Sequence, residues 1–487
     1  MTGVLIMTAV LISTFGALWV ATLPETSKKE RNTVVVTAST ISALIVWGLL
    51  IYILKTGNTL SVSARIASLR WKFSLDPLGM VYAVIVSSLW VFTAVYSLGY
   101  MEQDQNQRRY FIFFLLSAGV TLGIAFSGNL FTLYLFYELL TFCTYPLMIH
   151  EGSEEALRQG NRYLKYSLAE AVLILVALVM LAKYTGGNLD FGTQSILAGT
   201  EPSGALTFLL FLFLAGFGVK AAVMPLHGWL TSAMAVPTPV SALLLEVAVV
   251  NAGVFGILRT VYSVFGSELL DAMEVRWILL LIASITILCG SLFAMQQDVL
   301  KKRLAYSTIS QLSYILLGAF TLHPWGLAGA VLHMIFHAGL KITLFFSAGI
   351  VMETTGYVRV SQLKGVGKEL PLTMGSFGIA SLGLIGMLPL SGYWSKYYLM
   401  QGSIKSGHWP LLLVLLISAL LNAFYYLPIT VSAFTGGDGV EPVKKSRGLF
   451  FMLVPTLILA GIALVFGLWP GLTLPIVDAV VQQFFIS

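Results

Sequence analysis

Charge is what this sequence has least of. Only 10% of its 487 residues are Asp, Glu, Lys or Arg, against 57% hydrophobic, and the mean hydropathy is +0.87. A chain so poor in charge cannot cover a water-facing surface, which excludes a soluble globular fold, a disordered tail and a nucleic-acid-binding domain. Long polar stretches are missing too, so no soluble domain fits between the apolar runs. Cysteine is nearly absent. Cys143 and Cys289 lie in apolar segments with no CxxC or Cys/His spacing, which excludes a disulfide framework and a zinc site and reads as two small core residues. Nucleotide motifs and cofactor ligands are lacking as well, so no cofactor, metal or catalytic centre is expected in this chain. The N-terminus has no charged region before a small-residue cleavage site, and its first apolar run is expected to be a retained helix.

What is there is a succession of apolar runs of about 20 residues, the length that spans a bilayer at 1.5 Å rise per residue. They predict an all-α integral membrane protein of about fourteen helices. The helices fall near 4–23, 32–54, 75–98, 110–127, 129–149, 163–185, 205–230, 239–262, 277–295, 304–321, 325–352, 372–401, 408–433 and 449–469. Turn chemistry marks most breaks, as at Gly128-Asn129, from Thr185 to Asn188 and from Thr435 to Pro442.

The 28 Lys and Arg set the orientation. Loops after odd-numbered helices hold 17 of them, including Lys28, Arg31, Arg109, Arg158, Arg162, Lys301, Arg303, Lys364 and Lys445. Loops after even-numbered helices hold 8, among them Arg65, Lys72, Arg259 and Lys405. The odd loops are therefore expected in the cytoplasm and both termini outside, in a membrane such as the prokaryotic cytoplasmic membrane. The net charge of +6 thus reads as topology rather than as a sign of nucleic acid.

Three lysines remain, Lys220, Lys341 and Lys396, each near the middle of a predicted helix. A cation at bilayer depth costs at least about 2.5 kcal/mol on insertion scales, so such residues face the protein interior and serve a pathway. Glu138, Glu170 and Glu246 lie at similar depth in the fifth, sixth and eighth predicted helices and are candidate partners. Burial disfavours the ammonium form and a neighbouring carboxylate restores it, so a Glu/Lys pair switches when its surroundings change protonation. The plainer alternative is a static ion pair that fixes helix packing.

Two of the lysines sit where helices should break. Glycines precede Lys220 and Pro225 follows it, while Pro389 and Gly392 precede Lys396. Pro in a membrane helix is tolerated only where the freed backbone faces protein or a water-filled cavity. Paired broken helices point to inverted repeats. The expected divisions are 1–109 with three helices, 110–262 as the first five-helix repeat, 277–433 as the second, and 449–487 as a C-terminal helix and tail. The third lysine ends a ladder, His333, His337 and Lys341, spaced i, i+4 and i+8 on one helix face. Histidine titrates near neutral pH, which suits stepwise proton transfer; the alternative is that these imidazoles hydrogen-bond backbone exposed by the breaks. His227, in the same broken segment as Lys220, is another proton station, whereas His150, His323 and His408 sit at helix ends or in loops.

The run from Lys220 through Met224-Pro225-Leu226-His227-Gly228-Trp229-Leu230 to Val236-Pro237-Thr238-Pro239-Val240-Ser241-Ala242-Leu243-Leu244 resembles the central signature of the antiporter-like proton-translocating membrane subunits. That family includes large subunits of respiratory complex I, of Mrp-type sodium/proton antiporters and of membrane-bound hydrogenases. Tyr96-Ser97-Leu98-Gly99-Tyr100-Met101 and the stretch from Asn129-Leu130 to Tyr137-Glu138 resemble the family's upstream pattern.

The resemblance implies that Glu138 pairs with Lys220, that Lys396 stands at the outlet, and that the His333, His337, Lys341 ladder joins them. It implies a proton- or sodium-translocating subunit, surrounded by lipid and by other membrane subunits of a hetero-oligomeric complex whose catalysis resides elsewhere. Within the family an Mrp-like or hydrogenase-associated subunit is expected first, and a shorter complex I subunit next. The departure is in the eighth predicted helix, where Asn251 stands at a position that is lysine in many members and Leu245 where histidine is expected. The connection between Lys220 and the ladder is then expected to run through water or Glu246. Outside the family, a free-standing transporter for a small solute and a structural scaffold are the competing readings.

Overall fold

The computed structural model of the protein describes residues 2–57, 59–66, 69–435 and 448–485. The expected turn from Thr435 to Pro442 lies outside the described residues beyond its first position, as do Lys444, Lys445 and Arg447 of the loop-charge count. The chain opens with α1 (Thr2–Thr22) and α2 (Lys28–Thr56), which lead into a hairpin of β1 (Leu60–Ile66) and β2 (Leu69–Leu75). Next come α3 (Pro77–Tyr100), α4 (Gln107–Ala125), α5 (Leu130–Met148), α6 (Glu154–Tyr184), α7 (Gly204–Lys220) and the short α8 (Gly228–Ser232). A continuous helix, α9 (Val240–Phe265), follows. Then come α10 (Ser267–Ala272), α11 (Arg276–Gln296), α12 (Leu300–Phe320), α13 (Pro324–Thr355), α14 (Val366–Glu369), α15 (Pro371–Ile385), α16 (Ser391–Lys405), α17 (Leu411–Thr435), α18 (Gly448–Leu468) and α19 (Leu474–Phe485).

Eleven of these helices are long and apolar enough to cross a membrane, and α7, α15 and α19 are shorter apolar helices. The all-α membrane class expected from composition is therefore what the chain forms. Local chemistry sets the ends. Asp76 caps α3 by accepting from the Gly79 amide with Pro77 in the first turn, and Asn129 and Ser153 cap α5 and α6 in the same way.

Burial sorts the helices into core and rim. Every described side chain in the apolar window of α9 is buried, and 89% of that of α13, against 33% for α6, α17 and α18. α13 packs on α9, α12, α15, α16 and α18. Phe15, Leu44, Phe142, Val172, Phe208, Leu281, Leu420 and Phe450 point outward from the rim, as apolar side chains do when the surrounding solvent is lipid rather than water.

The breaks expected within 205–230 and 372–401 are formed: α7 stops at Lys220 and helix resumes at Gly228, and α15 stops at Ile385 with α16 starting at Ser391. Both breaks contain a cis X–Pro bond, Met224–Pro225 and Leu388–Pro389, and proline has no amide hydrogen with which to continue a helix. The eighth helix runs on to Phe265, so Arg259 is a helix residue and not a loop residue. Its turns widen to π-helix over Val240–Val249 and Arg259–Phe265, a distortion concentrated at functional sites. The link after α2, counted among the loops from its sequence, is a β-hairpin, pinned by Lys72 and Arg70 on Asp190 at 3.1 and 2.7 Å.

Candidate functional site

The first break brings three helices to one lysine. Lys220 is the last residue of α7, where the carbonyl end of the helix dipole favours a cation. Its ammonium lies 2.5 Å from the Glu170 carboxylate of α6. It donates to the Tyr137 carbonyl at 3.3 Å and sits 3.6 Å from the centroid of the Tyr137 ring. Gly216, one turn before Lys220, admits α6: a Cβ there would stand 2.5 Å from Ile174.

The partner of Lys220 is thus Glu170, and the resemblance-based pairing with Glu138 is not what the structure forms. Glu138 follows Tyr137 on α5 and is half-buried, with Oε1 enclosed and lacking a hydrogen-bond partner in the chain. Among the described residues no cation stands within 4.0 Å of it.

The freed backbone at this break is satisfied from nearby. Buried Trp229 donates its Nε1 to the Val219 carbonyl at 2.6 Å, and Lys301 at the start of α12 donates to Val236 at 2.8 Å. α9 crosses the broken end at backbone contact, because a Cβ on Gly253 would stand 2.3 Å from the Ala221 nitrogen. His227, in the link between α7 and α8, is half-buried, its ring 6.0 Å from that of Tyr306. Asn251 is fully buried on α9 with neither side-chain polar atom bonded within the chain. The side chain of Glu246 lies outside the described residues.

The ladder and the second break form one cluster. On α13 the rings of His333 and His337 lie 5.8 Å apart and nearly parallel. Both residues are buried, and neither ring nitrogen of His337 has a partner in the chain. Lys341 donates to the Leu304 carbonyl at 2.8 Å, to the Ser307 hydroxyl and to the Tyr426 hydroxyl at 3.3 Å. At the other end His333 Nδ1 is 3.0 Å from Ser395 Oγ, next in sequence to Lys396.

Lys396 donates to the Leu384 and Ile385 carbonyls at 2.7 and 2.9 Å, capping the broken end of α15. Gly386 has φ +96° and lies against the Lys396 stem, where a side chain would collide. Among the described residues no carboxylate stands within 4.0 Å of Lys396. Tyr314 of α12 closes the cluster: its ring is 5.3 Å from His333 and 5.1 Å from the Lys396 ammonium.

Sequence reasoning left Tyr314, Ser395 and Gln311 out. Nothing but an i, i+3 relation on the polar face of α12 links Gln311 to Tyr314, and both side-chain polar atoms of Gln311 are buried and unbonded within the chain. Buried polar groups are otherwise nearly always satisfied by protein or water. Asn251, Gln311 and His337 are among the buried side chains with such unbonded atoms, positions suited to water. The ion pair of Arg259 with Asp76 was also missed. Among the described residues no group of three or more His, Cys, Asp or Glu is placed to hold a metal.

A polytopic membrane protein with buried lysines at two helix breaks and an imidazole ladder between them belongs to the ion-translocating class. Residues 127–422 match the family described as NADH:quinone oxidoreductase/Mrp antiporter, transmembrane, and residues 62–111 match the N-terminal segment of complex I chain 5. The chain belongs to this family. It is 33% identical over 414 residues to an NADH-quinone oxidoreductase subunit of Desulforudis audaxviator, with 81% of each chain covered. To a Na(+)/H(+) antiporter subunit of Bacillus subtilis it is 25% identical, covering 91% of this chain and 90% of the relative. The fold is shared with a chain of the membrane-bound sulfane sulfur reductase, an archaeal respiratory membrane complex, at a TM-score of 0.89, 21% identity and coverage of 98% and 97%.

Proposed function

We propose that this chain moves protons, or sodium ions, across a cell membrane along its row of buried side chains, as one subunit of a larger membrane complex. The row runs from the Glu170–Lys220 pair, with Glu138 and His227 beside it, past Asn251 to Lys341, His337 and His333 and ends at Lys396. The observation that carries this reading is the contact of His333 with both Ser395 and Tyr314, which joins the ladder to the lysine at the second break. Lys220 is balanced by a carboxylate, whereas Lys396 is held by neutral carbonyls. One end of the row is built to keep an ion and the other to part with it.

The two breaks support a pair of inverted repeats over 110–262 and 277–433, flanked by 1–109 and 449–487. The loop charges support cytoplasmic odd loops and outward termini. Catalysis, where the assembly has any, belongs to other subunits, and the relatives named above accord with either a redox-driven or an antiporting complex.

Ion flux in native membrane vesicles containing the intact complex tests this, comparing wild type with Lys220→Ala and Lys396→Ala at matched assembly. Loss of flux in both places the pathway on the row. Unchanged flux makes the lysines packing elements and ends the proposal.

A further inference from the structure

A buried ion pair stands apart from the row. Arg259 is fully buried in the π-helical end of α9, and its Nη2 donates to both carboxylate oxygens of Asp76, at 2.9 and 2.6 Å. The guanidinium carbon lies 4.8 and 4.9 Å from the ring centroids of Phe191 and Phe255. Its Nε and Nη1 are enclosed and bonded to nothing in the chain. An arginine kept only for packing would be expected to use its fork of donors, since unmet donors in the interior are costly.

Asp76 has a second environment. It lines a cavity of about 610 Å³ on the hairpin face, together with Lys72, Phe191, Asp478, Gln482 and Gln483. The carboxylate is therefore placed between a fully buried cation and a chamber of mixed polar and apolar lining. It also accepts from the Gly79 amide at 3.0 Å and from the Ser74 hydroxyl at 3.5 Å.

The pair shares α9 with one position of the row. Asn251 precedes Arg259 by eight residues on α9, about 12 Å along the axis. Phe255 stands midway, stacked on Tyr82 at 5.2 Å, so an aromatic pair lies between the two polar positions.

We infer that Asp76 is the proton-exchange site at the hairpin-side mouth of the pathway, with Arg259 as the counter-charge that gates it. This rests on the proposed role of the row. A proton arriving from the Asn251 side binds a carboxylate oxygen of Asp76 and neutralises it. The ion pair with Arg259 is then lost while the two rings retain the guanidinium. The proton leaves to water in the chamber, and the carboxylate pairs with Arg259 again. Arg259 keeps its charge throughout, and that charge opposes the return of a second cation. Lys72 and Asp478 are the other charged groups on the chamber wall.

The test is proton flux by the whole complex in vesicles. Asp76→Asn is expected to assemble and to lose about ten-fold or more of the flux, the scale of losing a proton-transfer group, while Asp76→Glu retains most of it. Assembled Asp76→Asn with wild-type flux overturns the inference. Should that variant not assemble, Gln482→Cys on the chamber wall is treated with a bulky charged thiol reagent before reconstitution, with the unsubstituted parent as control. Blocked flux supports the exchange site and unchanged flux overturns it. Lys220→Ala run alongside separates the two levels: if it too retains flux, the row itself fails, and if only Asp76→Asn retains flux, only the exchange site does.

Discussion

Lys220 and Glu170 meet at 2.5 Å with neither side chain more than 1% exposed. An ion pair so enclosed is costly to break from one side, because the surviving charge stays buried without compensation, at about 3–5 kcal/mol. Glu170→Gln and Lys220→Met are each expected to lower the thermal stability of the complex, and the double variant to recover most of it. Flux is expected to stay lost in all three. Thermal unfolding of the purified complex reads the stabilities, and a double variant no more stable than the singles would sink the pairing. Glu138→Gln, which breaks no ion pair, is expected to lower flux with a much smaller change in stability.

Tyr314 is the bridge between the ladder and Lys396, and its ring rather than its hydroxyl makes both contacts. A desolvated cation over an aromatic face is worth about 2 kcal/mol. Tyr314→Phe is therefore expected to keep flux near wild type, and Tyr314→Leu to reduce it while the complex still assembles. Equal flux in the two variants would remove Tyr314 from the pathway.

Much of this architecture was legible in the chain because lipid imposes a simple rule, apolar runs of spanning length, and because a lysine inside such a run has few explanations. The breaks were legible for the same reason at Pro225 and Pro389. The β-hairpin was not, since two short strands between a helix and a cap read as a polar link. Arg259 was assigned to a loop because it falls at the end of an apolar run, where lysines and arginines normally reach water. Glu170 was visible as an acid at depth, but its priority over Glu138 depends on how closely α6 approaches α7, which Gly216 decides. Tyr314 carried no signal at all, because an aromatic residue in a membrane helix looks like packing until its neighbours are known.

The Trp229 bond to the Val219 carbonyl, at 2.6 Å, shows how the first break is kept in shape. Removing the donor leaves the Val219 carbonyl with the Ala222 amide, which donates to it at 3.0 Å, so the cost is that of one hydrogen bond, about 0.5–1.5 kcal/mol. Trp229→Phe preserves the ring and deletes the bond, so a lower unfolding temperature with normal assembly is the expected result. Since the bond anchors the residue before Lys220, flux should fall with it; a variant as stable and as active as wild type would show that the break holds itself.

His150, just past the end of α5, offers a pH-dependent test outside the spanning segments. It is buried, with Nε2 3.1 Å from an Asp104 oxygen, while Arg109 donates to its carbonyl at 2.7 Å. Burial pulls its pKa below the ordinary 6.5, Asp104 opposing this and Arg109 adding to it. The folded protein therefore binds this proton less readily than the unfolded chain does. The stability it confers is complete above pH 6.5 and is lost as pH falls from there toward the depressed folded value. Thermal unfolding between about pH 7.5 and about pH 5.5 should show a decline in the wild type that is smaller in His150→Gln. Parallel declines in the two proteins would mean that folding does not shift the imidazole, and a smaller decline in the wild type would mean that it is charged in the fold and ion-paired with Asp104.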